Sequence, residues 1–463
     1  MSELAVESRR TLVACVGVLF GAFALVYLPD VGHGFLKDDF GWIAQSSVRS
    51  WQDAVSLFRT APTTFFRPAV SLSFAINRPV CALDSRCYGI TNFCLAIACA
   101  IGVALLARAV SIRAGAALFS AAVWIFNWHG INMAVLWISG RTALMLTLFA
   151  TFGVAALIAR RSVLGVALLS CAIFSKEEGV LLPVIFAAWL IVDARIRRDW
   201  TAFRAMLPAV ICAFAADGVY LLLRSQSGAL TTSTAPEYYR FSFTASRLAS
   251  NLPEYVDRSA TFAAAALLLF VIVGKVRWRA VPPATASALW LGIVWWVGAF
   301  AITIFLPGRS SLYALFPSVG VALFAGAIAS LLWDGIAEPR KRRLIVAGLT
   351  FPFLLWPVYH SRNRSSVREA ELSQRTLAAL QRIATARGAG TSVLLEDDLS
   401  ERPSLDNAFS SGIQVAADLA IFPPIRVRIS TPDEPAAPGP IEPISYDVRL
   451  VLSNGALREE PGH

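Results

Sequence analysis

The sequence predicts an all-α polytopic membrane protein of about eleven transmembrane helices, followed by a small external α/β region. Three observations carry that reading. The 463 residues are 56% apolar and 16% charged, against roughly 45–50% and about 25% in soluble domains. The excess is gathered into blocks such as 11–29, 88–107 and 284–306, each near the ~20 residues that cross ~30 Å of hydrocarbon. Basic clusters recur between blocks, at Arg9/Arg10, Arg108/Arg113, Arg160/Arg161, Arg195/Arg197/Arg198, Lys275/Arg277/Arg279 and Arg340 to Arg343, the pattern of loops retained on the cytoplasmic side.

Spans are expected at 11–29, 88–107, 114–127, 139–159, 162–175, 179–193, 205–223, 259–274, 284–306, 312–333 and 344–359. Two of them, 114–127 and 162–175, are short for a full crossing. The first is expected to remain uncleaved, because Leu28-Pro29-Asp30 offers no small-x-small site. An odd number of spans puts the N-terminus inside and residues 360–463 outside. That last region holds 11 Lys/Arg and 14 Asp/Glu, a net −3, so the first 359 residues carry +13 of the total +10. Because the positive charge lies at membrane edges, the pI near 9.6 does not point to nucleic acid. Seven Cys and four His are scattered without metal-ligand spacing.

The transmembrane domain, 1–359, has two long external loops, 30–87 and 224–258, too apolar for disorder. Trp51, Ala54, Val55 and Phe58 share one helix face, predicting a helix on the membrane surface. A second helix is expected from Pro68 to Asn77, stopped by Pro79, and a looser one from Phe241 to Val256. In the C-terminal region the pattern predicts a helix over 368–385 and strands at 393–396 and 425–429.

Asp38 and Asp39, directly after the first span, are two adjacent carboxylates at the edge of low dielectric, where one pKa is expected to rise and favour a base. Arg67, Arg141, Lys176 and Arg309 fall at predicted outer edges and are candidates for a lipid phosphate, or else interfacial anchors. Cys81 and Cys87, in the first external loop, are close enough to bridge in an oxidising compartment, or remain small apolar residues. His129 reads as a structural histidine. Asp217 is the main mid-span charge.

Several short motifs, in order, resemble one family: Gly34-x-x-x-Asp38-Asp39, Phe66-Arg67-Pro68, Tyr88-x-x-Thr91-Asn92, Trp137-Ile138-Ser139-Gly140-Arg141, Ser175-Lys176-Glu177 and Ser311 to Gly320. Over about residues 30 to 375 the chain resembles the transmembrane-and-TPR-containing O-mannosyltransferases, GT-C glycosyltransferases related to the protein O-mannosyltransferases. The resemblance implies a polyprenyl-phosphate-linked sugar donor, inversion at the anomeric carbon, and a first-loop Asp as general base, with Asp38 preferred over Asp39. A protein or glycolipid acceptor is expected; the long external loops put the expected chemistry on the periplasmic side, and high Ala and Arg suggest a bacterial inner membrane. No cofactor is called for, and a divalent cation at the acidic pair stays an open alternative.

The chain departs from the family in three places. Trp128, His129, Ile131 and Met133 stand where the family has a His/Glu-bearing stretch, Ala143 stands where it has an acid, and the TPR repeats are absent. Glu177, Glu178, Glu254 and Asp257 are candidates for the second carboxylate. The competing class is a non-catalytic transporter or flippase for lipid-linked saccharides, or a degenerate donor-binding protein; the scarcity of mid-span charges argues against transport.

Overall fold

The computed structural model describes residues 2–61, 65–231, 234–273, 281–336, 338, 340, 355–397, 402–430, 446–453 and 455–460. The expected span 344–359 lies mostly outside these residues, as does most of the basic run after Arg340.

The helices are α1 (Ser2–Tyr27), α2 (Asp38–Gln45), α3 (Trp51–Ser56), α4 (Pro68–Cys81), α5 (Ser85–Ala109), α6 (Ala114–Ile125), α7 (Ile131–Leu136), α8 (Arg141–Ile158) and α9 (Ser162–Ile173). They continue with α10 (Leu182–Arg197), α11 (Thr201–Gln226), α12 (Ala245–Val273), α13 (Pro283–Phe300), α14 (Ser318–Gly335) and α15 (Trp356–Arg387). Among the described residues six helices are long and apolar enough to cross a membrane, and four shorter ones are apolar. The protein is a helical membrane protein. Its long helices form a closed circuit: α5 packs on α6, α6 on α14, α14 on α13, α13 on α10, α10 on α11, α11 on α9, α9 on α8, and α8 on α5.

Lipid tails are as apolar as leucine, so helices here associate through close packing and polar ties rather than by a hydrophobic drive. Gly292 and Gly320 show the first. A Cβ at Gly292 would lie 2.6 Å from the Gly320 carbonyl oxygen, so α13 and α14 touch backbone to backbone. The second is supplied by buried indoles: Trp124 Nε1 donates to Leu315 O at 3.1 Å and Trp295 Nε1 to Phe316 O at 3.0 Å, which fixes the segment leading into α14.

Several expectations need correction. α4 runs through Pro79 to Cys81. A proline in the last turn removes only one internal hydrogen bond, and Arg78 ties that turn to the carbonyls of Ile43 and Ala44. The surface helix expected over 241–256 and the span at 259–274 are one helix, α12, continuous through Pro253, because no breaker separates them. The block 284–306 ends its helix at Phe300, and 312–333 begins with a 3₁₀ turn, Ser311–Ala314, before α14.

The C-terminal region adds α16 (Leu405–Phe409), α17 (Ile413–Ala420) and four strands, β1 (Ser392–Glu396), β2 (Arg426–Ser430), β3 (Val448–Ser453) and β4 (Ala456–Glu460). Two strands were expected. The sheet order is β2-β1-β3-β4, with β1 parallel to β2 and β3, and β4 antiparallel to β3. Alternate residues of β1 and β3 are buried, as a sheet with one face on a core requires. Val393, Leu395, Leu450, Leu380, Phe409 and Ala416 belong to that core, and so does Phe40 from the first loop.

Candidate active site

The Asp38-Asp39 pair opens α2, where carboxylates suit the positive end of the helix dipole. Neighbouring residues on a helix diverge by about 100°, and the two acids separate accordingly. Asp39 turns inward and is fully buried. It accepts from Leu36 N at 2.9 Å, Ser139 N at 2.7 Å and Ser139 Oγ at 2.5 Å. Burial pushes its pKa up to about 7 against those three donors. Asp38 faces outward into a cleft of about 620 Å³ and is solvent-exposed. The surrounding walls raise its pKa, opposed by the positive charges of Arg67 and Lys37.

Several stretches of chain build the cleft: the Asp38 loop, Phe65 and Arg67, the stretch bearing Met133, Trp137, Ser139 and Thr142, Lys176, the loops bearing Tyr238, Tyr239, Arg309 and Tyr313, and the turn Phe409 to Gly412 of the C-terminal unit. Asp38 is the one carboxylate lining it among the described residues. Four cations line it too, and three have acidic partners. Arg67 donates to Glu177 Oε2 at 2.7 Å and lies 4.2 Å over the Phe65 ring. Burial works against its charge, but Glu177 outweighs burial and raises its pKa. Lys176 Nζ is 2.7 Å from Glu178 Oε1 and 5.2 Å from the Tyr313 ring centroid. Arg309 pairs with Glu254 and donates to Asn251 Oδ1 at 2.9 Å. Burial raises the Tyr239 phenol to about 12 and raises those of Tyr238 and Tyr313 as well, so these hydroxyls enter the cleft as neutral donors.

The structure thus separates residues that the sequence grouped. Arg141, expected at the donor phosphate, is fully buried and does not line the cleft. Its guanidinium donates to Asn92 Oδ1 at 3.0 Å, Asn77 Oδ1 at 2.6 Å, Ser73 Oγ at 3.3 Å and Tyr88 O at 3.3 Å, over the Phe74 ring. It fastens α8 to α4 and α5. Glu177 and Glu178, offered as a second carboxylate, are held by ion pairs to Arg67 and Arg224, and to Lys176. Asp39, the alternative base, has no face on the cleft. Asp257 lies 3.7 Å from His129. Burial and Arg362 lower the His129 pKa to about 4, so the ring is neutral, and it packs beside Trp128. Cys81 and Cys87 are disulfide-bonded, Cα to Cα 5.4 Å, between the end of α4 and the start of α5. No group of three or more His, Cys, Asp or Glu is gathered for a metal ion among the described residues.

Sequence reasoning missed Lys37, Tyr238, Tyr239 and the 409–412 turn. Tyr238-Tyr239, paired aromatics in a long loop, gave a faint signal; Ser410 and Ser411 gave none.

No protein-family model matches the chain, and no curated protein matches it in sequence. Its fold is similar to that of the arabinofuranosyltransferase AftD from Mycobacteria, with a TM-score of 0.50 and 13% identity over 91% of this chain and 32% of AftD. The chain therefore spans about a third of AftD's length. ArnT from Cupriavidus metallidurans, solved bound to undecaprenyl phosphate, superposes with a TM-score of 0.45 and 18% identity, over 80% of this chain and 72% of that one. The likeness to AftD is one of fold.

Proposed function

We propose that the protein is a GT-C glycosyltransferase that moves a sugar from a polyprenyl-phosphate carrier to an acceptor hydroxyl. One observation carries the reading: a single carboxylate, Asp38, faces a cleft whose other ionic groups are cations and phenols. Asp38 accepts the proton of the acceptor hydroxyl as its oxygen attacks the anomeric carbon. The bond from that carbon to the phosphate oxygen breaks, and the electron pair leaves with the lipid phosphate. Attack from the face opposite the phosphate inverts the anomeric centre.

Charge gathers on the departing phosphate, and pre-aimed donors stabilise such charge most in a partly desolvated site. Arg67, Lys176 and Arg309 take that role, with Lys37 and the neutral phenols beside them. Their acidic partners hold the cations in place in the empty cleft, and the phosphate competes for them on binding. The resemblance to O-mannosyltransferases makes mannose the first sugar to test, with a protein or glycolipid acceptor. Basic clusters on one side of the expected spans and long loops on the other support a cleft on the extracytoplasmic face of the inner membrane.

A transporter would expose ionisable groups along a path through the bundle. Asp217 in α11 is buried, has an oxygen with no hydrogen-bond partner, and does not line the cleft.

Purified protein in detergent is given a polyprenyl-phosphate-linked radiolabelled mannose and an envelope extract. Label transferred by the natural sequence and lost in Asp38→Asn supports the reading. Label transferred equally by both removes Asp38 as the base.

A further inference from the structure

The C-terminal α/β unit touches the Asp38 loop at Gly34, Lys37 and Phe40. Gly34, at φ +129°, presses on α15: a Cβ there would lie 2.9 Å from Gln374 Nε2 and 3.2 Å from the Ala370 Cβ. Lys37 N donates to Ala408 O at 2.8 Å. The Phe40 ring is buried in the C-terminal core and stacks on Phe409, centroids 5.8 Å apart.

Lys37 has φ 45° and ψ −116°, a backbone region that a side chain rarely adopts and that persists only when its surroundings enforce it. Ser410, in the turn that faces it, has φ 49° and ψ −134°. Two strained corners, one from each unit, therefore meet at the rim of the cleft, where a Cβ on Gly412 would lie 3.4 Å from Lys37 O.

Residue 37 is thus tied to the C-terminal unit and residue 39, through Ser139, to the bundle. Asp38 lies between the two ties. We propose that the C-terminal unit positions Asp38, with Phe409 as the positioning residue, so that the base reaches its working place only while the unit is docked. The proposal deepens the glycosyltransferase reading and rests on it for its consequence, though the clamp itself can be measured without activity.

The test uses the full chain with Phe409→Ala, Phe409→Leu and Phe40→Ala, the last removing the same stack from the loop side. Misplacing a catalytic group by about 1 Å costs on the order of 10²-fold. Phe409→Ala and Phe40→Ala are therefore expected to lower kcat about 10²-fold, with donor KM changed less than about 3-fold. Phe409→Leu, which restores apolar volume, should recover most of the loss. The acid limb of the pH profile should also move in the Ala variants, as Asp38 shifts relative to Arg67.

Hydrogen exchange is the second readout. Amides 34–40 should exchange faster in both Ala variants, while β1 and β3 keep their protection. Unchanged exchange at 34–40, or a kcat loss matched by an equal rise in KM, overturns the proposal. Faster exchange in a protein whose natural sequence transfers no sugar sustains the clamp and overturns the glycosyltransferase reading instead.

Discussion

Asp38 and Asp39 are adjacent in sequence and are expected to fail in opposite ways. In Asp39→Ala the backbone N–H groups of Leu36 and Ser139 lose their acceptor inside the protein. Each buried N–H left unsatisfied costs ~1–3 kcal/mol, so the loss is about 2–6 kcal/mol; the Ser139 hydroxyl can turn elsewhere. Asp38→Asn leaves every such contact intact. Its thermal stability should stay within about 0.5 kcal/mol of the natural sequence, while turnover falls ~10²–10⁴-fold with loss of the general base.

The Asp39 pKa adds a second axis. Burial raises it from 3.8 to about 7, so the folded state holds the proton more tightly than the unfolded chain does. The associated stability is fully present below about pH 4 and is lost as pH rises through about 7, for a total of about 4 kcal/mol. Thermal unfolding followed by tryptophan fluorescence in detergent, from pH 5 to 8, should show a decline that Asp39→Ala lacks. An Asp39→Ala protein that melts like the natural one yet cannot turn over would refute the division of roles. So would an Asp38→Asn protein of undiminished activity.

Four further outcomes are expected. Arg141→Gln leaves buried acceptors such as Asn77 Oδ1 and Asn92 Oδ1 short of a donor, at ~1–3 kcal/mol for each one unsatisfied, while whatever folds keeps its donor affinity; a weakened donor KM without loss of stability would return Arg141 to the phosphate. Lys176→Gln should raise donor KM about 10-fold or more, as loss of a charge-assisted hydrogen bond does, and leave acceptor KM alone. Lys37→Gln removes one of the charges that lower the Asp38 pKa, so the acid limb of kcat/KM, where activity falls as the base is protonated, should move to higher pH; a limb that moves down contradicts that electrostatic picture. Thiol labelling of denatured protein should find two more reactive thiols after reduction, absent in Cys81→Ser, and opening that short loop should cost about 2 kcal/mol.

The membrane-embedded helices were the most legible part, because hydrophobic length is a local property: 88–107 falls within Ser85–Ala109 and 139–159 overlays Arg141–Ile158. α12 was misread as two elements because Glu254, Asp257 and Arg258 look like loop residues, although they are only the polar start of a long helix. The candidate site was legible by residue type and not by partner. Arg67 and Glu177 are 110 positions apart, and Asp39 finds its donor in Ser139, 100 positions on. No local pattern says that one of two adjacent acids will meet a serine while the other meets a cleft. The C-terminal contribution was invisible for the same reason, since nothing beside Phe40 in the sequence points to Phe409 as its partner.

α9 has consequences for the lipid as well as for the protein. Its 12 residues rise about 18 Å, against ~30 Å of hydrocarbon, and Val163 and Leu164 on its first turn are exposed. A bilayer pressed against so low a wall thins to meet it. Headgroups beside α9 would then sit closer to the turn that leads through Ser175 into Lys176. On the proposed glycosyltransferase reading, a carrier lipid drifting along that depression would bring its phosphate toward the cations without leaving its leaflet. Elastic deformation of the membrane would then do part of the delivery, and bilayer thickness becomes a variable that a measured donor KM should report.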